Sequence, residues 1–294
     1  MARRFSFDTV DVFTNQQLQG NQLAVFPNAH GLTDDEMLAI AREFNYAETT
    51  FVLRRDPPTE KAKGIRTRIF SRKEEMPFAG HPTLGTAFVL RAMGEADDVL
   101  LELNVGPVPV RFSDRGGRLF GEMTQIEPAF GTIHDRERVA QAIDVPVREL
   151  DGSLPIQTVS TGLPFAIVPF LRLTALQEWS PTWTRMEAYL KQTDAQLFYA
   201  ICRETVAPDA HVHARMVYHG GEDPATGSAA GPTAAWMVRN GLAASGAPIQ
   251  IEQGLEIGRP SRIHARADLT DERVTNVRVG GFCSSVLHGD IALP

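Results

Sequence analysis

Apolar and polar side chains alternate with a period of two from Phe5 to Thr14, where Phe5, Phe7, Thr9, Asp11 and Phe13 oppose Ser6, Asp8, Val10 and Val12. With its aromatic and β-branched content, that period predicts a strand. Gly20-Asn21 interrupts the chain, and Leu23–Phe26 predicts a second strand. Thr33 followed three residues later by Glu36 has the form of a capping box, so a helix is expected from there to about Phe44. Strands are expected at Thr49–Leu53 and Gly64–Phe70, around a polar, proline-containing turn. Pro77-Phe78-Ala79-Gly80-His81 then opens a helix expected over Pro82–Met93, with few charges on any face and therefore buried on all sides. Strands at Val99–Asn104, Val108–Phe112 and Arg118–Met123 complete the first half.

The second half repeats this order. Ile156–Ser160 predicts a strand, and Thr161-Gly162-Leu163-Pro164-Phe165-Ala166-Ile167-Val168-Pro169 parallels Gly20-Asn21-Gln22-Leu23-Ala24-Val25-Phe26-Pro27. A polar helix is expected over Thr182–Gln192, and strands near Gln196–Cys202 and His211–Val217. Glu222-Asp223-Pro224-Ala225-Thr226-Gly227-Ser228 opens a second apolar helix, Ala229–Val238, and strands near Ile249–Gln253, Arg262–Ala267 and Asn276–Gly280 follow. Gly80 and Gly227 take corresponding places, so the pattern is an internal duplication of short strands around one apolar helix. The expected class is α+β, with each helix wrapped by a curled mixed sheet. The expected division is 1–124, completed by a C-terminal strand at 284–294, and 125–283. A dinucleotide-binding βαβ arrangement would need a GxGxxG after the first strand, and none is present.

Composition narrows the partners. Of 294 residues, 43% are hydrophobic and 22% charged, and 29 basic against 36 acidic side chains give a net charge of −7. No Lys/Arg-rich block offers a nucleic-acid footprint. No stretch approaches the roughly 18 apolar residues of a membrane span. Asp8 and Asp11 fall where a signal peptide needs an apolar run, so a cytoplasmic location is expected. The two cysteines, Cys202 and Cys283, have no metal-ligand spacing and read as buried, reduced thiols. His211 and His213 would share a strand face without a third ligand, so no metal is expected.

The candidate chemistry gathers at the two Gly-containing turns. A helix N-terminus carries unpaired backbone N–H groups and a partial positive charge, and a glycine there admits a ligand close to the backbone. Gly80-His81 and Gly227-Ser228 could hold a small anion in this way, or could simply cap packed helices. Glu48 lies between a helix end and an apolar strand. It fits either a surface acid or a partly buried carboxyl with a raised pKa suited to moving protons. His81 could donate a hydrogen bond or relay a proton, and Asp223 could cap its helix or face a ligand. Gly227-Ser228-Ala229-Ala230-Gly231 is not a GxSxG nucleophile elbow, and no phosphate-binding GK[ST] follows a glycine-rich stretch.

At these residues the sequence resembles the PhzF family of phenazine-biosynthesis isomerases. The matching segments are Gly20–Phe26, Asn45–Phe51, Pro77–Ala87, Glu222–Pro232 and Gln253–Pro260, in order and along essentially the whole chain. The resemblance implies a diaminopimelate epimerase-like fold of two similar halves, with the active site between them, in a homodimer. It implies cofactor-free acid–base chemistry on a small carboxylate, such as isomerisation of trans-2,3-dihydro-3-hydroxyanthranilate. Epimerases of that superfamily place a cysteine at each Gly-rich turn. Here those places are Ala79 and Thr226, so a two-thiol racemase is excluded. The resemblance assigns proton transfer to Glu48, assisted by His81 and Asp223, and substrate binding to Gly80, Gly227, Ser228 and Asn21. Family members closest to the phenazine enzyme carry a longer Phe- and Pro-containing loop where this chain has Arg215–Glu222, which leaves the substrate open. A lyase or dehydratase acting on a hydroxy amino acid, and a non-catalytic binder of the same fold, are the alternatives.

Overall fold

In the computed structural model, which describes residues 2–95 and 98–294, the alternating segments become strands and the two charge-poor segments become helices. Contacts divide the chain into two units, one running to Thr124 and completed by Gly280–Pro294, the other spanning Gln125–Val279. The first unit holds β1 (Arg3–Val12), β2 (Asn21–Phe26), α1 (Asp34–Phe44), β3 (Glu48–Leu53), α2 (Pro57–Lys63), β4 (Ile65–Ser71), β5 (Glu75–Met76), α3 (Gly80–Ala92), β6 (Asp98–Leu103), β7 (Gly106–Asp114) and β8 (Leu119–Thr124). The second holds β9 (Ala129–Ile133), α4 (Arg136–Ala142), β10 (Gln157–Ser160), β11 (Pro164–Phe170), α5 (Leu173–Gln177), α6 (Trp183–Leu190), β12 (Leu197–Cys202), β13 (Val212–Arg215), β14 (Val217–Tyr218), β15 (Gly221–Glu222), α7 (Gly227–Arg239), β16 (Ile249–Gln253) and β17 (Ser261–Thr270). The last strand, β18 (Arg273–Leu293), contributes to both.

The duplication read from sequence is a duplication of pairing sense. In the first unit β1–β2, β2–β3, β3–β4, β4–β6 and β6–β7 pair antiparallel, parallel, antiparallel, parallel and antiparallel. In the second, β10–β11, β11–β12, β12–β13, β13–β16 and β16–β17 follow the same five senses. The first sheet closes where β1 pairs with β18, with a bulge between Thr9 and Val10 that bends the strand. α3 packs against β1, β2, β3, β6, β7 and β8, and α7 against β10, β11 and β17. Both helices are therefore buried nearly all round, which explains their lack of a polar face.

Close wrapping demands small residues. At Gly231 an added Cβ would sit 1.9 Å from Gln125 Oε1. That oxygen accepts from Thr161 Oγ1 at 2.6 Å, while Gln125 Nε2 donates to the Gly227 carbonyl at 3.0 Å. Gly231→Ala gains up to about 1 kcal/mol of helix propensity, but overpacking of this kind costs about 1–3 kcal/mol. The clash wins, because the amide it displaces is held at both ends. Thermal unfolding of Gly231→Ala should show a net loss of stability that Gln125→Ala in the same chain relieves.

Two expectations need correction. The polar turn before β4 contains α2, because Asp56 accepts from Thr59 N at 3.0 Å as N-cap and Pro57 and Pro58 occupy the first helical positions. The strand expected at Asn276–Gly280 is the 21-residue β18, drawn out by its pairing with β1. Elsewhere α1 carries the expected capping box on Thr33 and Glu36. Met37 and Ile40 of α1 join Phe26, Phe51 and Phe70 in a buried cluster, each large side chain worth about 1.5–3 kcal/mol of burial.

Candidate active site

In the first unit, helix α1 ends on Asn45 in the left-handed conformation, φ 54°. The chain then turns so that Glu48 becomes the first residue of β3, in register with Leu23 on β2 and Ser71 on β4. Its side chain is 18% exposed, and Oε2 lies 3.5 Å from Nε2 of His81, itself only 6% exposed. His81 is the second residue of α3. Its ring bonds the Gln22 carbonyl, while Nε2 is buried without a hydrogen-bond partner. The Gln22 contact therefore uses Nδ1 as donor, and Nε2 is left as a bare acceptor towards Glu48. Burial disfavours the charged ring and, against the bond to Gln22, holds its pKa down to about 3. Asn21, next to Gln22, is buried at the start of β2.

The α3 N-terminus has no side-chain cap. Its N-cap is Ala79, no acidic residue lies in the first turn, and the nearby Thr83 hydroxyl donates instead to the Ala79 carbonyl at 2.7 Å. The helix thus begins on the amides of Gly80 and His81, followed by Pro82, which has none.

In the second unit, α7 begins on Gly227 and Ser228 after the N-cap Thr226, whose side chain makes no capping bond. The Thr226 hydroxyl donates to Asp223 Oδ2 at 2.7 Å. Gln253, fully buried at the end of β16, fastens the same loop. Its Nε2 donates to the Asp223 carbonyl and to Thr226 Oγ1, each at 2.8 Å, and its Oε1 accepts from Thr226 N at 3.1 Å and Tyr199 Oη at 2.9 Å. Gly254, at φ +79°, lets the chain leave β16 where a Cβ would meet the Pro224 carbonyl at 2.6 Å. Asp223 and Ser228 remain half-buried, and Gly227 is buried.

A charged cluster stands behind this loop. Arg215 grips Glu222 with two bonds, 2.9 and 2.7 Å, and donates to the carbonyls of Leu176, Gln177 and Trp179. The segment expected as a shortened loop is the hairpin β14–β15 between these two residues, and Asp223 N closes it on the Met216 carbonyl at 2.9 Å. His213 does not share its role with His211, which accepts from Gln250 N. Both His213 nitrogens are committed to carboxylates, Glu252 at 2.8 Å and Glu256 at 3.0 Å. Burial opposes its charge, but the bonds to Glu256 and Glu252 outweigh it and raise its pKa. Protonated His213 therefore adds stability below its unfolded value of about 6.5, and this is lost as pH rises through the raised folded value. The stability gap between the wild type and His213→Gln should be widest below about pH 6.5 and narrow on the alkaline side, as read by urea unfolding across pH.

Sequence reasoning named Glu48, His81, Asp223, Gly227 and Ser228 as candidates and Thr226 only as a turn position without a thiol, and it gave no role to Gln253, Tyr199 or Arg215, which share these neighbourhoods. Gln253 opened a matching segment, and Arg215 and Glu222 bounded the variable loop, so each was visible without its partner. The two cysteines are free. Burial pushes both thiols up, Cys283 most, and neither N-cap, Ala79 or Thr226, carries a thiol.

The model of the family described as phenazine biosynthesis-like protein matches residues 10–289. The chain belongs to that family. A phenazine biosynthesis-like relative, the trans-2,3-dihydro-3-hydroxyanthranilate isomerase of Pseudomonas aeruginosa, is 36% identical over 285 residues, covering 95% of this chain and 96% of its own. The crystal structure of a PhzF-family phenazine biosynthesis protein of Bacillus anthracis superposes with a TM-score of 0.88 at 29% identity, covering 98% of this chain and 99% of the other. A hydroxyproline epimerase of Agrobacterium vitis, at 12% identity, matches with a TM-score of 0.64 over 99% of this chain and 93% of its own. That last likeness bears on fold alone. The phenazine biosynthesis-like chain has the diaminopimelate epimerase-like fold, with mixed strands wound about a central helix.

Proposed function

We propose that this phenazine biosynthesis-like protein moves a proton between carbon atoms of a small cyclic amino or hydroxy carboxylate, with Glu48 as the group that carries it. The protein is an isomerase of its family, and relatives over nearly its whole length bear that name. The carrying observation is the Glu48–His81 pair, a largely buried carboxyl facing an unprotonated ring nitrogen at 3.5 Å. A carboxylate at Glu48 would take a proton from a ring carbon, the electrons of that C–H bond would move the double bond along the conjugated ring, and the Glu48 carboxyl, its proton exchangeable with solvent, would deliver a proton to another carbon. His81 stays neutral through this cycle, since its pKa is held to about 3. Its Nε2 serves as the acceptor that orients the protonated Glu48, rather than as a second acid. On the first unit Asn21 and the Gly80 amide, and on the second Asp223, Ser228 and the Gly227 amide, are each proposed as groups that bind the polar and carboxylate parts of a substrate. The mechanism assigns no step to a cofactor, and the assembly is proposed as a homodimer in the cytoplasm.

The test is incubation with trans-2,3-dihydro-3-hydroxyanthranilate in deuterated water. Proton transfer predicts an isomer of unchanged composition carrying solvent deuterium. Loss of water would favour a lyase, and binding without exchange or turnover would favour a non-catalytic role.

A further inference from the structure

A threonine before a helix is ordinarily its cap, accepting from the amides of the first turn and so filling the place an anionic ligand would take. Thr226 does not do this. Its hydroxyl has one proton, and that proton is committed to Asp223 Oδ2 at 2.7 Å. Its oxygen accepts instead from Gln253 Nε2 at 2.8 Å. The orientation of the Gln253 amide is fixed by its backbone partners, because Thr226 N can only donate and the Asp223 carbonyl can only accept. With Tyr199 Oη as the second donor to Oε1, every donor and acceptor of this buried amide is used. Burial, with the charge of Asp223, drives the Tyr199 pKa well up, so the phenol keeps its proton for that bond.

We infer that Thr226, Gln253 and Tyr199 form a positioning relay that turns the threonine away from the α7 N-terminus and onto Asp223, keeping the Gly227 and Ser228 amides open to a ligand carboxylate while fixing the carboxyl beside them. None of the three is a catalytic residue, because each acts through Asp223 or the helix amides. The inference rests on the reading of Asp223, Gly227 and Ser228 as substrate-binding groups.

The probe is anthranilate, a carboxylate with a neighbouring amine that has no proton to move, and the readout is Kd by calorimetry with Tm measured alongside. Thr226→Val keeps the shape and removes the hydroxyl, and it should weaken binding about 10- to 100-fold, the effect of a lost hydrogen bond to a charged group. Thr226→Ser restores the hydroxyl and should restore Kd to within a few fold. Tyr199→Phe should weaken binding less than Thr226→Val, since the backbone contacts still orient Gln253. A purely structural threonine would lower Tm in Thr226→Val and leave Kd unchanged well below the melt, and that result overturns the relay. Absence of anthranilate binding by the wild type overturns it as well. The proton-transfer reading fails separately, through deuterium exchange that survives Glu48→Gln while Kd is untouched.

Discussion

Replacing Glu48 by Gln should reduce solvent deuterium exchange into the substrate by about 10²- to 10⁴-fold, the usual contribution of one positioned acid–base group. The amide has nearly the same shape, so packing at the start of β3 persists, and it can still donate to His81 Nε2 across the 3.5 Å gap. What it cannot do is accept a proton from carbon. The loss should therefore fall on the chemical step, with the Kd for anthranilate changed by no more than a few fold. His81→Asn should be milder than Glu48→Gln, because a neutral acceptor orients the acid without holding the proton itself. Since His81 is held to about 3, no limb of the pH–rate profile near neutrality should belong to it. Exchange in Glu48→Gln at the wild-type rate would remove this residue from the mechanism.

Arg215→Met should be the most damaging substitution outside the proposed proton path, costing about 3–5 kcal/mol, as expected when one member of a buried charge pair is removed. The guanidinium spans Glu222 and three carbonyls of the segment leading to α6, and both partners of the pair are 8% exposed. Methionine fills much of the volume but leaves the Glu222 carboxylate buried alone. A fall in Tm of roughly 10 °C is expected for a protein of this size. Lysine should rescue little, since a single ammonium cannot reproduce the fork that holds both Glu222 oxygens. Arg215→Met with Glu222→Gln should recover part of the loss by removing the stranded charge. If Arg215→Met melts with the wild type, the account of this cluster is wrong.

The parts legible in the sequence were those with short-range signals. Thr33 and Glu36 announced the start of α1 within one turn. Charge-poor stretches after Gly80 and Gly227 announced helices buried on all sides. The likeness of Gly20–Pro27 to Thr161–Pro169 corresponds to β2 and β11, which hold equivalent places in the two orders of pairing. α2 was missed although Asp56-Pro57-Pro58 carries its start signal, because the prolines were read as a turn. α4, begun by the cap Asp135, was missed because its seven residues are too short for a clear period.

By itself the sequence determined where most of the strands lie, which two helices must be buried, and that a carboxyl, an imidazole and two glycine-opened helix starts were available for chemistry. Those are properties of period, cap and residue type, all set within a few positions. Tertiary structure alone decided that Glu48 meets the bare nitrogen of His81, that Thr226 serves Asp223 instead of its helix, and that Arg215 and Gln253 hold the loop between them. Such partners lie up to dozens of residues apart, and hydrogen bonds depend on distance and direction in space, which no local pattern along a chain specifies.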